Sequence, residues 1–457
     1  MFRAVVIGAG IGGLTAAVAL QRWGWEVTLF ERAASLEPVG SGLAVAANAL
    51  KALDTIGIGD EIRALSAIRG EGGIRRSGGG WLVRTTEEAA SARYGDSVVL
   101  LRRADLVDAL SSRLAPGTLR LDTTVTGVDP ETGRVAFTRR EPSGNEGGAG
   151  ETSGADGAGG PATGDDAAGA GTEGTEGTVK AHLVVAADGI HSPTRAALFP
   201  HHPGPRYAGI TSWRMLIPGG GVPGQTYESW GRGKIFGVMP LAGDLAYCYA
   251  TDTVPAGGDR GGDQRAELLR RFGDWHDPIP ALLAAVAPEN VLRNDVYHLA
   301  TPLPAMHRGK VALLGDAAHA MTPNLGQGAC QAVEDAVVLA HTTTMVVSAP
   351  TGRFPAHPDD TVPAGLAAYT AARLERTSRI VARSAAVCRA TRLRDPLTVR
   401  LRDTLVTLGW RLASARMTAA MDEVLGWTPP DVVEGAIRGW TPLDEREEPP
   451  GRTHRST

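Results

Sequence analysis

Cysteine is scarce in this chain of 457 residues. Cys248, Cys330 and Cys388 lie far apart and form no CxxC pair. That excludes a disulfide framework and a zinc site, leaves no metal expected, and fits a reducing, cytoplasmic setting. Long hydrophobic runs are also missing. No stretch approaches the roughly 20 uninterrupted apolar residues of a membrane span, so no stable membrane insertion is expected. Residues 4–20 are nearly all apolar and follow Arg3. They contain Gly8, Gly10, Gly12 and Gly13, which suit a tight turn better than a signal-peptide core. Excess positive charge is absent too: the formal net charge is −4, so no general attraction to nucleic acid is implied. No fixed-period repeat is present.

Hydrophobic residues make up 43% and charged residues 21% of the chain, an ordinary globular composition, and the length suits two or three domains. Residues 141–178 stand apart. They hold no Lys, no Arg and no large apolar residue, but they carry eight acids. Taking these eight from 50 acidic residues leaves 42 against 46 basic ones, a balance of +4. The negative net charge therefore belongs to this segment, which reads as a disordered surface insert. Apolar strand-like runs flank it at 134–138 and 183–187, so it is expected to interrupt a hairpin. Further strands are expected at 4–7, 26–30, 234–240, 245–250 and 311–314. Helices are expected at 12–23, 104–114, 264–272, 328–341 and 366–390. Strand-helix alternation at the start and again near residue 311 points to one parallel sheet assembled from distant segments.

The first chemical motif is GxGxxG on Gly8, Gly10 and Gly13, with Gly12 inside it. An apolar strand leads in and an apolar helix leads out, as a dinucleotide fingerprint requires. Gly8 permits the turn, Gly10 lets backbone approach a pyrophosphate, and Gly13 allows close helix-strand packing. The helix N-terminus offers N–H groups and a positive dipole end to phosphates. The second strand ends in Glu31, where a carboxylate can accept hydrogen bonds from a ribose diol; Arg32 follows and is counted with the cofactor-binding residues. This motif alone separates neither NAD from FAD.

Later segments do so by resemblance. Val184-Val-Ala-Ala-Asp188-Gly189 through Arg195 resembles the Asp-Gly motif of flavoprotein hydroxylases. Val311-Ala-Leu-Leu-Gly315-Asp316 through Gly328 resembles their Gly-Asp motif. With the glycine-rich start and Leu101-Arg-Arg103-Ala-Asp-Leu, four motifs in order are similar to the FAD-dependent aromatic hydroxylases and related epoxidases, from residue 1 to about 390. The resemblance implies an α/β fold: a Rossmann-type FAD-binding domain, a β-rich substrate domain and C-terminal helices. The expected boundaries are 1–74, 101–195 and 294–390 for the discontinuous FAD domain, 75–100 and 200–290 for the substrate domain, and 391–457 for C-terminal helices and a polar tail.

The resemblance also implies non-covalent FAD. Asp316 falls on the ribitol and Gly326, Gln327 and Gly328 lie against the flavin ring. Arg103 reaches the phosphate-ribose portion, its spacing before Ala-Asp-Leu favouring it over Arg102. Asp188 belongs to the same set. Val125 corresponds to a position whose backbone touches adenine, although an ordinary strand valine describes it equally well. NADH or NADPH is implied as a transient co-substrate, because no second GxGxxG is visible. O2 and a small organic substrate, aromatic or polyketide-like, complete the reaction, a hydroxylation or epoxidation through a flavin C4a-hydroperoxide. No catalytic residue stands out. Arg214, Met239 and Pro323 are substrate-pocket candidates, Trp213, Trp230 and Phe236 are pocket or core, and His298 and His319 read as structural. Three rivals remain at this point: a flavin halogenase, whose usual Trp-x-Trp-x-Ile-Pro segment is missing, a flavin dehydrogenase, and a non-catalytic FAD-binding redox sensor.

Overall fold

The computed structural model describes residues 2–36, 41–66, 71–140, 174–218, 224–258, 262–345 and 358–430. Parallel strands buried on both faces need apolar side chains at every position, not at alternate ones. Leu183–Ala186, Val311–Leu313 and all of Arg3–Ile7 after its exposed first residue meet that demand, and the three lie side by side. They occupy the centre of a six-stranded sheet, flanked by Glu26–Phe30 and Leu119–Arg120 on one side and His307–Arg308 on the other. Segments more than 300 residues apart in the chain thus form one layer, as the alternation pattern predicted. The helix Ile11–Arg22 packs on this sheet, Gly328–Met345 packs on that helix, and Pro358–Thr391 packs outside it.

A second sheet has seven strands. In spatial order they are Leu292–His298, Arg206–Pro218, Leu245–Asp252, Lys234–Leu241, Thr226–Trp230, Glu71–Arg76 and Trp81–Thr86. Its two faces have different partners. Trp213, Met215, Phe236, Val238 and Cys248 point one way and pack on the helices Gln264–Phe272 and Ile279–Ala285. Trp213 and Phe236 are therefore core, 2% and 0% exposed. The opposite face carries Arg214, Tyr249, Gly237 and Glu228, which stand in one cross-strand row.

Three expectations are corrected. The strand Arg134–Arg140 pairs antiparallel with Gly174–Lys180, not with the run at 183–187. Leu183–Ala186 is buried on both sides and belongs in the parallel sheet, whereas Gly174–Lys180 alternates wet and half-buried positions as an edge strand does. Residues 174–178 of the expected insert are thus strand, and Gly177 is needed there because a Cβ would sit 2.5 Å from the Phe137 ring. The rest of that insert, 141–173, and the tail 431–457 lie outside the described residues. The proposed boundaries at 74 and 294 both cut strands of the seven-stranded sheet, Glu71–Arg76 and Leu292–His298. The expected helix at 366–390 is extended at its start, running Pro358–Thr391, and Pro396–Leu425 falls within the stretch expected to hold C-terminal helices.

The helices Gly328–Met345 and Pro358–Thr391 are locked together by buried charge. Arg373 is fully buried and donates to Asp335 Oδ1 at 2.6 Å, to Gln331 Oε1 at 2.8 Å and to Glu334. Arg376 adds a 2.8 Å bond to Glu334. Removing one member of a buried ion pair leaves an uncompensated charge, which costs about 3–5 kcal/mol. Arg373→Ala is therefore expected to lose ~3–5 kcal/mol of stability by denaturant titration. A loss under about 1 kcal/mol would show that the network carries little of the helix packing.

Candidate active site

The glycine-rich turn is built by contact, not by flexibility alone. Gly8 has φ +97°, and a Cβ there would lie 2.5 Å from the Ala187 carbonyl oxygen. A Cβ on Gly13 would lie 1.9 Å from the Gly8 carbonyl oxygen. These approaches press the first helix onto the first strand and the 183–186 strand. Gly12 is equally tight against Leu314, at 2.5 Å. Gly10 differs: no heavy atom lies within 4 Å of where its Cβ would be. It caps the helix at the edge of open space, which suits a ligand phosphate at the helix N-terminus.

That space is two cavities. One of about 310 Å³ is lined by Gly8, Gly10, Glu31, Arg32, Val125 and Asp188. The other, about 740 Å³, is lined by Gly10, Gly12, Arg103, Asp316, Gly326 and Gly328. Gly10, Ala187 and Gly189 line both, so the cavities meet beside the helix N-terminus. An elongated ligand with a phosphate in its middle fits this arrangement. In the smaller cavity Glu31 accepts hydrogen bonds from Ala9 N at 2.7 Å and Ala33 N at 3.0 Å, tying the second strand to the glycine turn. Asp188 accepts from Thr194 N at 3.2 Å through one oxygen; the other is buried with no partner among the described residues. An orphaned buried acceptor beside a cavity is the mark of a missing donor, such as a ligand hydroxyl. Val125 borders a register shift in its strand pair, so its backbone stands out of the regular ladder.

In the larger cavity Asp316 opens the short helix Asp316–His319 after Gly315, whose φ is +61°. Burial pushes the Asp316 carboxyl up, while His319, Arg103 and Arg195 pull it down. Arg103 is held below the usual arginine range by burial and by the charge of Arg214, against the pull of Asp316. Two arginines and an aspartate thus share one cavity. Arg195 is buried and donates to the carbonyls of Ala317 and Ile190, which joins the Asp-Gly turn to the Gly-Asp turn.

The loop 323–328 divides. Pro323, Gly326 and Gly328 line the cavity, with Gly326 left-handed at φ +62°. The Gln327 side chain does not line it. It is 2% exposed, and its Oε1 accepts from Asn48 at 3.0 Å and Gln331 at 3.0 Å. The polar side chain is drawn inward because buried donors there need an acceptor, which leaves the backbone of this residue to face the ligand. His319 is buried against Asp335, Nε2 to Oδ2 at 2.5 Å, and His298 lines neither cavity.

Arg214 and Met239 line the large cavity from the seven-stranded sheet. Trp230 is 8% exposed, stacked under Arg402 and bonded to Glu228, so it buttresses the wall. Sequence reasoning missed Glu228, Tyr247 and Tyr249, which line the same cavity. The signal was available: in strands, residues two apart share a face, so Thr226, Glu228 and Trp230 belong together. It missed Asn48, Glu334, Asp335 and Arg373 as well, whose signal is an acidic pair within an otherwise apolar helix.

Comparison with known proteins agrees with this geometry. The family model described as FAD binding domain matches residues 1–216 and 288–384. The aurachin C monooxygenase/isomerase of Stigmatella aurantiaca is 34% identical over 427 residues, covering 93% of this chain and 98% of that protein. An FAD-dependent urate hydroxylase of Klebsiella pneumoniae is 33% identical, over 74% of this chain and 80% of that one. A 2-heptyl-3-hydroxy-4(1H)-quinolone synthase of Pseudomonas aeruginosa is 30% identical, over 88% of this chain and 93% of that one. Among solved structures, Klebsiella pneumoniae HpxO complexed with FAD and uric acid superposes with a TM-score of 0.75 at 26% identity, over 94% of this chain and 97% of that chain. With the phosphate-ready helix end, the paired cavities and these matches in agreement, the chain belongs to the FAD-dependent aromatic hydroxylase family and is an FAD-dependent monooxygenase.

Proposed function

We propose that this protein uses NADH or NADPH and O2 to hydroxylate or epoxidise a small aromatic substrate in the 740 Å³ cavity. The observation that carries the reading is the meeting of the two cavities at Gly10, with the larger one continuing onto the sheet face of Arg214 and Met239. One elongated cofactor occupies the smaller cavity and the near side of the larger; the remainder is left for substrate.

FAD, when bound, supplies the activation of O2 with electrons taken from the nicotinamide. The chain supplies placement. Glu31, Arg32, Val125 and Asp188 hold the adenosine portion, and the Asp188 oxygen without a partner is aimed at a ligand donor. The N-terminus of the first helix at Gly10 and Gly12 faces the pyrophosphate. Asp316 takes the ribitol hydroxyls, Arg103 lies beside the phosphate-ribose portion, and Gly326 and Gly328 let backbone lie flat against the ring. The second strong helix N-terminus, at Gly328, favours negative charge on the reduced ring by about 0.3–1 kcal/mol. Met239, Tyr247 and Pro323 wall the far side and keep water from the reacting centre.

By their names the relatives work with flat, nitrogen-bearing or phenolic rings: one hydroxylates urate, one makes a hydroxyquinolone, and one, from Streptomyces cremeus, oxygenates 3-amino-4-hydroxybenzoate. An aromatic substrate of similar size suits this cavity, and the protein would work in the cytoplasm, where nicotinamide cofactors are available.

Two outcomes are expected. Glu31→Ala loses hydrogen bonds to a charged acceptor and weakens FAD binding by about 1.5–3 kcal/mol, read by titrating apoprotein with FAD. An unchanged affinity would remove Glu31 from the cofactor site. In turnover, NAD(P)H oxidation is slow alone and strongly stimulated by an aromatic substrate, whose product gains one oxygen atom from 18O2. Product oxygen derived only from labelled water, with no exchange to explain it, contradicts the monooxygenase reading of this site. A product carrying halide, or merely two hydrogens fewer, points instead to halogenation or dehydrogenation.

A further inference from the structure

Glu228 is a carboxylate built into the wall of the substrate cavity without a cation. Its side chain stands on the cavity face of the strand Thr226–Trp230. Oε1 accepts from the Tyr249 hydroxyl at 2.5 Å, and Oε2 accepts from Trp230 Nε1 at 2.8 Å. Among the described residues it forms no ion pair. Arg214, in the same cross-strand row, donates to Asn294 at 2.8 Å instead. A carboxylate offers about four lone-pair positions, so roughly two are left for a ligand.

The position is constructed, not incidental. Tyr249 and Glu228 lie on strands separated by the strand that bears Gly237. The tyrosine ring crosses directly over that glycine: a Cβ there would lie 2.1 Å from Cζ and 2.6 Å from the hydroxyl oxygen. Only glycine leaves the ring room to lie across the sheet and reach Glu228. Trp230 is fixed in turn by the Arg402 guanidinium, 5.5 Å above its ring. Both donors that hold the carboxylate are therefore themselves held. Burial pushes the Glu228 carboxyl above the usual carboxylate range, against the pull of the Tyr249 and Trp230 hydrogen bonds.

A buried carboxylate that no protein cation neutralises is stabilised by a ligand that brings a proton donor. The polarity of the row limits what that ligand is. Glu228 accepts at one end; Arg214 donates at the other, three strand spacings or about 14 Å away along the sheet. An anionic ligand edge is repelled by Glu228 and attracted to Arg214 and Arg103. We propose that Glu228, Tyr249 and Gly237 form a subsite that receives the ring N–H of a flat heteroaromatic substrate, with the oxygen-bearing part of that ring system turned toward Arg214. Substrates whose only polar group is a carboxylate do not fit the Glu228 end. This subsite rests on the larger cavity being the substrate site.

The test uses the FAD-loaded full chain and two probes, 2-heptyl-4(1H)-quinolone and its N-methyl derivative, with binding read from the flavin absorbance. Wild type is expected to bind the N–H ring at least tenfold more tightly. Glu228→Met, which keeps the length but removes the acceptor, is expected to bring the two rings within twofold while flavin content stays unchanged. Glu228→Gln retains an acceptor oxygen and keeps part of the preference. Equal binding of the two rings by wild type overturns the subsite, and that comparison needs no variant. A Glu228→Met protein that retains the preference overturns it also, since steric exclusion of the methyl group then explains the difference. Binding of neither ring, together with 18O2 incorporation into another aromatic, removes the subsite and leaves the monooxygenase reading standing. Binding of neither ring, with no stimulated turnover on any aromatic compound, removes both.

Discussion

One carboxylate holds the cofactor-facing edge of this molecule in place. Asp335 accepts from Gly315 N at 3.1 Å, from His319 Nε2 at 2.5 Å and from Arg373 Nε at 2.6 Å. The first bond fixes the turn from which Asp316 projects. The second fixes the helix that follows it. The third binds both to a helix near the C-terminus. Its neighbour Glu334 accepts from Asn48 at 2.6 Å, and Asn48 in turn holds Gln327, so the loop at 326–328 hangs on the same pair of acids. Burial works against the charged form of Asp335, but His319 and Arg373 outweigh it and hold the carboxyl down to about 2. The charges persist indoors because each is paired and hydrogen-bonded; either acid alone would be expensive to bury.

This arrangement divides the work of the chain. The parallel sheet and its helices present backbone: glycines at 8, 10, 12 and 13, the turn at 315, the loop at 326–328. The seven-stranded sheet presents side chains: Arg214, Glu228, Met239, Tyr247, Tyr249. The FAD-binding family model matches residues 1–216 and 288–384 and passes over 217–287, the stretch that contains Glu228, Met239, Tyr247 and Tyr249. That model captures mainly the cofactor half, while the relatives extend over the substrate half as well, the aurachin C enzyme aligning with 93% of this chain. The sheet of the substrate half must satisfy two neighbours at once, a packed helix pair on one face and an open cavity on the other.

The cofactor half was legible in the sequence because its requirements are local. A glycine turn between an apolar strand and an apolar helix is contiguous, and so is Gly315-Asp316 after a buried strand. The runs 4–7, 183–186 and 311–313 could be read as central parallel strands since they lack a polar face. Pairing across the acidic segment could not be read, because Gly174–Lys180 has only Val179 as a large apolar residue and resembles the insert, while the apolar run that follows is buried on both faces in the parallel sheet. Gln327 was placed with its glycine neighbours, yet its side chain answers to Asn48, 279 residues away. The acid-arginine network escaped for the same reason: its partners are 38 to 42 residues apart and no short motif links them. Glu228 lay within reach of period-two reasoning. What was lacking was knowledge of which sheet face is packed and which is hollow, and that depends on where the helices at 264–285 dock.

The claim that Asp335 holds the FAD-facing loop can be separated from its role in stability. Asp335→Asn keeps the size of the side chain but loses the charge that pairs with Arg373. The control is Leu282→Ala, which opens the distant core of the seven-stranded sheet and costs about 2–5 kcal/mol without touching the cofactor side. FAD dissociation constants should be compared for both folded variants and wild type. The expected result is FAD affinity at least tenfold weaker in Asp335→Asn and within twofold of wild type in Leu282→Ala. Unchanged FAD affinity in Asp335→Asn would contradict the central role of this carboxylate.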